Sequence, residues 1–115
     1  AKLVRCIEGR VMDVAVDIRK GSPTYGKHVA IELTGENKRQ LFVPRGFAHG
    51  FSVLSDTAVF AYKVDNRYAP ETDSGIRYDD KELNIDWGLN KAEVQLSVKD
   101  KNLSFFKDLD SPFNF

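Results

Sequence analysis

Apolar and polar residues alternate with a period of two in short runs along most of this chain, and turn formers separate the runs. Residues 11–19 place Val14, Val16 and Ile18 on one face and Asp13, Ala15 and Asp17 on the other. Residues 28–34 place Val29, Ile31 and Leu33 opposite His28, Ala30 and Glu32. Residues 58–64 place Phe60, Tyr62 and Val64 opposite Val59, Ala61 and Lys63. Such alternation belongs to strands with one face covered. Residues 2–7, 40–43 and 51–54 add shorter apolar runs, and no long amphipathic helix competes with them. Short strands at 8–12-residue spacing predict an all-β sandwich or barrel.

From Asp65 the texture changes. Asn66, Pro70, Asp73, Ser74 and Gly75 mark a long polar loop, and residues 76–78 read as a short strand. Leu83, Ile85, Trp87 and Leu89 alternate as a tail that packs down onto the sheet. Residues 94–98 suit a last strand, and residues 101–107 a helical turn in an otherwise irregular C-terminal tail.

A chain of 115 residues fits one domain, residues 1–115, with a single core. Seventeen basic and seventeen acidic residues cancel, so no global field favours nucleic acid or a membrane surface. An anionic ligand would need a local cluster. One cysteine, Cys6, forms no internal disulfide, which suits a reducing compartment. No apolar run approaches the roughly 20 residues of a membrane span, and the expected location is cytoplasmic. The chain opens at Ala1 already inside a strand pattern, so further sequence is expected upstream.

The stretch most suggestive of a site is Gln40-Leu41-Phe42-Val43-Pro44-Arg45-Gly46-Phe47-Ala48-His49-Gly50-Phe51. It reads strand, tight turn, strand. Pro44 ends the ladder and Gly46 supplies a positive φ where the chain reverses. His49, one of two histidines, is expected at that turn, as a site residue or as a hydrogen-bonded rim residue. Tyr62 is a core tyrosine or a proton donor, Lys2 an edge lysine or an enolate-stabilising ammonium, and Lys99-Asp100 a solvated pair or part of a site. Together a histidine, a tyrosine, a lysine and a carboxylate at strand ends would suit proton transfer next to a carbonyl. A metal site needs three or four convergent ligands. His28 has no partner at ligand spacing, so no metal is expected.

Pro44-x-Gly46-x-x-His49 is similar to the second motif of the cupin superfamily. Lys2-Leu3-Val4-Arg5, residues 13–17, Gly21-Ser22-Pro23-Thr24, residues 36–40, residues 44–51, Tyr62-Lys63, Tyr68-Ala69-Pro70 and Leu96-Ser97-x-Lys99-Asp100 follow in order. In that joint pattern the chain resembles the dTDP-4-dehydrorhamnose 3,5-epimerases, over nearly its whole length. The resemblance implies a cupin-type double-stranded β-helix, or jelly roll, working as a homodimer without metal or cofactor. It implies epimerisation at C3 and C5 of a dTDP-4-keto-6-deoxyhexose on the way to dTDP-rhamnose.

By the same resemblance Asp100 is the aspartate that assists the base, Tyr62 the acid, and Lys2 and His49 the polar groups around the sugar. Tyr68 would stack on thymine, Lys99 would contact diphosphate or substrate, and Asp73 would contact substrate. The family's Arg-Gly-Leu-His-Phe-Gln segment, with the base histidine, would lie just before Lys2, outside these 115 residues. The chain then corresponds to the C-terminal two-thirds of an epimerase, and by itself is expected not to epimerise. Three rivals remain open: a non-catalytic nucleotide-sugar-binding or dimer-forming module, an epimerase of one centre only, and a metal cupin, which the ligand count disfavours.

Overall fold

Among the described residues, six strands form at or close to the apolar runs of the sequence. The computed structural model describes residues 1–64, 76–81, 83–88, 103, 105 and 106. The strands are β1 (Lys2–Glu8), β2 (Arg10–Asp17), β3 (His28–Thr34), β4 (Gln40–Val43), β5 (Phe47–Val53) and β6 (Val59–Val64). They make two three-stranded sheets, in the orders β4-β1-β6 and β3-β2-β5. Every pairing is antiparallel. Consecutive strands β1 and β2 lie in different sheets, as do β3 and β4, β4 and β5, and β5 and β6. The chain therefore crosses repeatedly from one sheet to the other, which two facing layers require.

Register fixes which side chains face the partner sheet, because residues directly opposite share a face. Val4 pairs with Leu41 and Tyr62, and Cys6 with Phe60. In the second sheet Val11 pairs with Leu33 and Val53, and Asp13 with Ile31 and Phe51. Val4, Cys6, Val11 and Leu33 meet as one buried cluster, with Ile31, Leu41, Ala58 and Phe60 packed against it. This core lies between the sheets. Burying each such aliphatic side chain favours the fold by about 1.5–3 kcal/mol.

A second core covers the opposite face of β3-β2-β5. Val14, Val16, Ile18 and Leu83 form it, and Met12, Ala48, Ile76, Ile85, Trp87 and Phe106 pack around them. The alternating tail of Leu83, Ile85 and Trp87 does pack down as its pattern predicts; Leu89 lies outside the described residues. Strand β2 is consequently not half-buried. From Asp13 to Asp17 every residue is buried, on both faces. Ile76 makes an isolated bridge, in place of the short strand expected there. The strand expected at 94–98 and most of the helical turn expected at 101–107 lie outside the described residues.

Candidate active site

Gly46 has φ +93, and with Pro44 it reverses the chain between β4 and β5, as expected. The turn is shorter than expected, however. Phe47 already belongs to β5, so His49 lies inside a strand, opposite Ala15 of β2. A strand position holds an imidazole more rigidly than a turn would. Gly50, the next residue, points the other way. A Cβ there would sit 3.1 Å from the Trp87 ring, so the absence of a side chain lets the indole cover this part of β5. Trp87 is itself tied down: its Nε1–H donates to the Tyr78 carbonyl at 2.8 Å, and the Ser52 hydroxyl donates to the Trp87 carbonyl at 2.6 Å.

His49 faces the space between the sheets, and there it meets Asp13. The Asp13 Oδ1 to His49 Nε2 distance is 2.6 Å. Asp13 is 0% exposed, and the His49 side chain is 10% exposed. The second carboxylate oxygen, Oδ2, is buried with no hydrogen-bond partner among the described residues. The residue-level reading missed Asp13. Alternation put it on the face opposite Val14, Val16 and Ile18, which was the right face, but that face turned out to be covered by the other sheet. The sequence does carry a signal: Asp13 stands four positions from a second carboxylate on the same face, Asp17, in an otherwise apolar run.

On the facing sheet, Lys2 pairs with Val43 and Val64, while Tyr62 lies opposite Val4. Both therefore share the inward face with Val4 and Cys6. The β4–β5 turn joins the Lys2 end of one sheet to the Phe47 end of the other, so Lys2, Tyr62 and His49 all lie towards one end of the molecule. Phe60 links the two histidine-side and tyrosine-side halves. Its ring is 6.3 Å from that of His49 and 6.4 Å from that of Tyr62, and it stacks on Phe51 at 4.3 Å. Tyr62 is not a core tyrosine: it is 63% exposed. The predicted residues Tyr68, Asp73, Lys99 and Asp100 lie outside the described residues.

His28 lies opposite Val16, hence on the other face of the sheet from His49. The two histidines cannot ligate one ion. A surface depression lined by Ile7, Arg10, Thr34 and Glu36 lies at the far end of the strands, away from His49.

The loop of residues 18–27 borders the His49 end and is knotted on Asp17. The Arg19 guanidinium donates to both Asp17 oxygens at 3.0 Å, the Ser22 hydroxyl donates at 2.6 Å, and the Thr24 hydroxyl adds a third side-chain donor. Arg19 first, then the hydroxyls, hold the Asp17 carboxyl well below the usual carboxylate range despite its burial. Arg19 also lies over the Phe47 ring, 4.9 Å from its centroid. At the opposite end burial pushes the Cys6 thiol up, and its S–H donates to the Glu8 carbonyl at 3.0 Å.

The family profile described as dTDP-4-dehydrorhamnose 3,5-epimerase matches residues 1–108. The chain belongs to this family. The chain is 55% identical over 109 residues to the dTDP-4-dehydrorhamnose 3,5-epimerase of Shigella flexneri, covering 95% of this chain and 59% of that protein. A crystal structure of dTDP-6-deoxy-D-glucose-3,5-epimerase from Legionella pneumophila, in complex with dTDP-4-keto-L-rhamnose, superimposes with TM-score 0.94 at 50% identity. It is matched over 99% of this chain and 62% of its own. A 3'-monoepimerase from Streptomyces bikiniensis, in complex with dTDP-quinovose, gives TM-score 0.84 at 31% identity over 90% of this chain and 52% of its own. The chain thus spans about 59% of the length of such relatives. The two facing antiparallel sheets are those of the cupin jelly roll that this epimerase family shares.

Proposed function

We propose that this chain forms the nucleotide-sugar site of a dTDP-4-dehydrorhamnose 3,5-epimerase, which inverts C3 and C5 of a dTDP-4-keto-6-deoxyhexose. One observation carries the reading. Lys2 and Tyr62 share the inward face of one sheet, His49 stands on the facing sheet, and all three lie towards the same end. An ammonium and an imidazole there suit a ketone oxygen that gains negative charge when a neighbouring C–H is ionised. An exposed phenol suits proton return to carbon. The bound sugars named for the Legionella and Streptomyces structures support a dTDP-sugar as the ligand.

In this reading Asp100 assists the base, Tyr68 stacks on thymine, and Lys99 and Asp73 contact the diphosphate or sugar. The protein works as a homodimer, in the cytoplasm, on the route to dTDP-rhamnose and surface polysaccharide. Proton removal α to a ketone needs a base within hydrogen-bond reach of that proton. Neither His28, on the outer face, nor His49, which this reading places at the ketone oxygen, takes that part.

The test incubates the 115-residue chain with the 4-keto sugar nucleotide in deuterated water, alone and mixed with a peptide containing Arg-Gly-Leu-His-Phe-Gln. Deuterium at C3 and C5 in the mixture, and not with the chain alone, is the expected result. Failure of the chain to bind dTDP would overturn the reading in favour of another role for the fold. Exchange by the chain alone would make His49 the base.

A further inference from the structure

Resting on the functional reading above, we propose that Asp13 is a positioning residue for His49. It holds the ring by its Nε2–H and leaves Nδ1 as the nitrogen offered to the oxygen on C4 of the sugar. The argument begins with cost. Asp13 is fully buried, flanked across the sheet by Ile31 and Phe51, and its Oδ2 has no partner among the described residues. A carboxylate so placed is expensive, several kcal/mol relative to an apolar residue of similar volume. Packing gives no return for it, because a valine would fill the site and bury the same surface. What the carboxylate does provide is a single short contact to one ring nitrogen of one side chain.

That contact has a chemical consequence. An ionised carboxylate only accepts, so Nε2 carries the proton it donates to Oδ1. The tautomer is then fixed, and Nδ1 is the one nitrogen free to meet a ligand. As the C4 oxygen gains negative charge, Nδ1 takes up a proton from water and donates it in a hydrogen bond to that oxygen. The imidazolium and the Asp13 carboxylate then make a neutral pair, and no lone cation is buried. The ring orientation is fixed from the other side by its neighbour Phe60, at 6.3 Å between ring centroids. No proton is transferred to Asp13 in this scheme.

Two readouts test this on the full chain. The first is the nitrogen-15 spectrum of His49 in the ligand-free chain, which should show a proton on Nε2 and, in the neutral ring, none on Nδ1. The neutral ring protonated on Nδ1 alone would overturn the proposal. The second compares binding of dTDP with that of dTDP-quinovose, whose sugar carries a hydroxyl at C4. Asp13→Val should leave dTDP affinity unchanged and weaken dTDP-quinovose about tenfold, as expected for a lost hydrogen bond to the C4 hydroxyl. It should also release His49 into a mixture of tautomers.

A structural role would lower both affinities together, and that result, or an unchanged ratio, would overturn the proposal. If Asp13→Val does not fold, Asp13→Asn keeps the shape and removes the charge. It should retain the tautomer and still weaken dTDP-quinovose selectively; parent-like affinity would overturn the proposal. Failure of the parent chain to bind either ligand would refute the functional reading, while the His49 spectrum would still judge the pairing.

Discussion

Tyr62 is the residue whose surroundings most nearly decide between two roles. A core tyrosine would be covered and its hydroxyl satisfied; this one is 63% exposed on the inward face, one aromatic ring away from His49. Tyr62→Phe in an active polypeptide carrying this sequence should therefore keep ligand affinity and lose roughly 2–4 orders of magnitude in turnover. Unaltered turnover in a single-turnover assay would return the residue to packing.

The strand positions of Lys2 and Tyr62 were readable in the sequence from the apolar runs around them, whereas His49 was expected at a turn and lies inside β5. The burial of Asp13 was not readable. Alternation separates a strand into two faces but does not say how many of them are covered. Here both are, one by the facing sheet and one by Ile76, Leu83, Ile85, Trp87 and Phe106, so the usual reading of an Asp face as the solvent face fails.

At the scale of elements, β5 shows how a missing side chain shapes the sheet. The Trp87 ring lies against Gly50 at a distance that a Cβ would make tight. Gly50→Val should force the indole outward and destabilise by about 1–3 kcal/mol, the usual cost of overpacking. Thermal unfolding together with a red-shifted tryptophan emission would report it; an unshifted emission at parental stability would refute it.

The Asp17 loop gives a second expectation. The folded carboxyl titrates below its unfolded value of about 3.9. Its contribution is therefore fully present above that value and is lost as pH falls below it towards the folded value. Asp17→Asn should lower stability at neutral pH and flatten the acid limb of the stability profile. An acid limb like the parent's would assign that limb to other groups. The sequence showed residues 20–26 as a loop rich in turn formers. It did not show that one buried carboxylate organises them, because Arg19, Ser22 and Thr24 converge only once β2 has placed Asp17.

For the molecule as a whole, the strand spacing alone was enough to reach an all-β sandwich or barrel, and the two antiparallel layers came from the pairing. The cupin assignment needed the ordered motifs. Past Val64, among the described residues, the part that was legible is the alternation of Leu83, Ile85 and Trp87. Around it the charged and irregular composition offers no period to follow.

The doubly covered strand β2 has a consequence in time. It is central in its sheet, hydrogen-bonded on both edges to β3 and β5, and walled by a core on each face. Its amides can reach solvent only when two separate layers come apart, so they should be the last in the chain to exchange for deuterium. Strands β4 and β6, on the rims of the other sheet, should exchange earlier by orders of magnitude; equal rates would show that the chain opens as one unit. Asp13 is rooted in the slowest part and Tyr62 in a faster one. The imidazole side of the site would then keep its shape through the breathing that admits a ligand, while the phenol side moves.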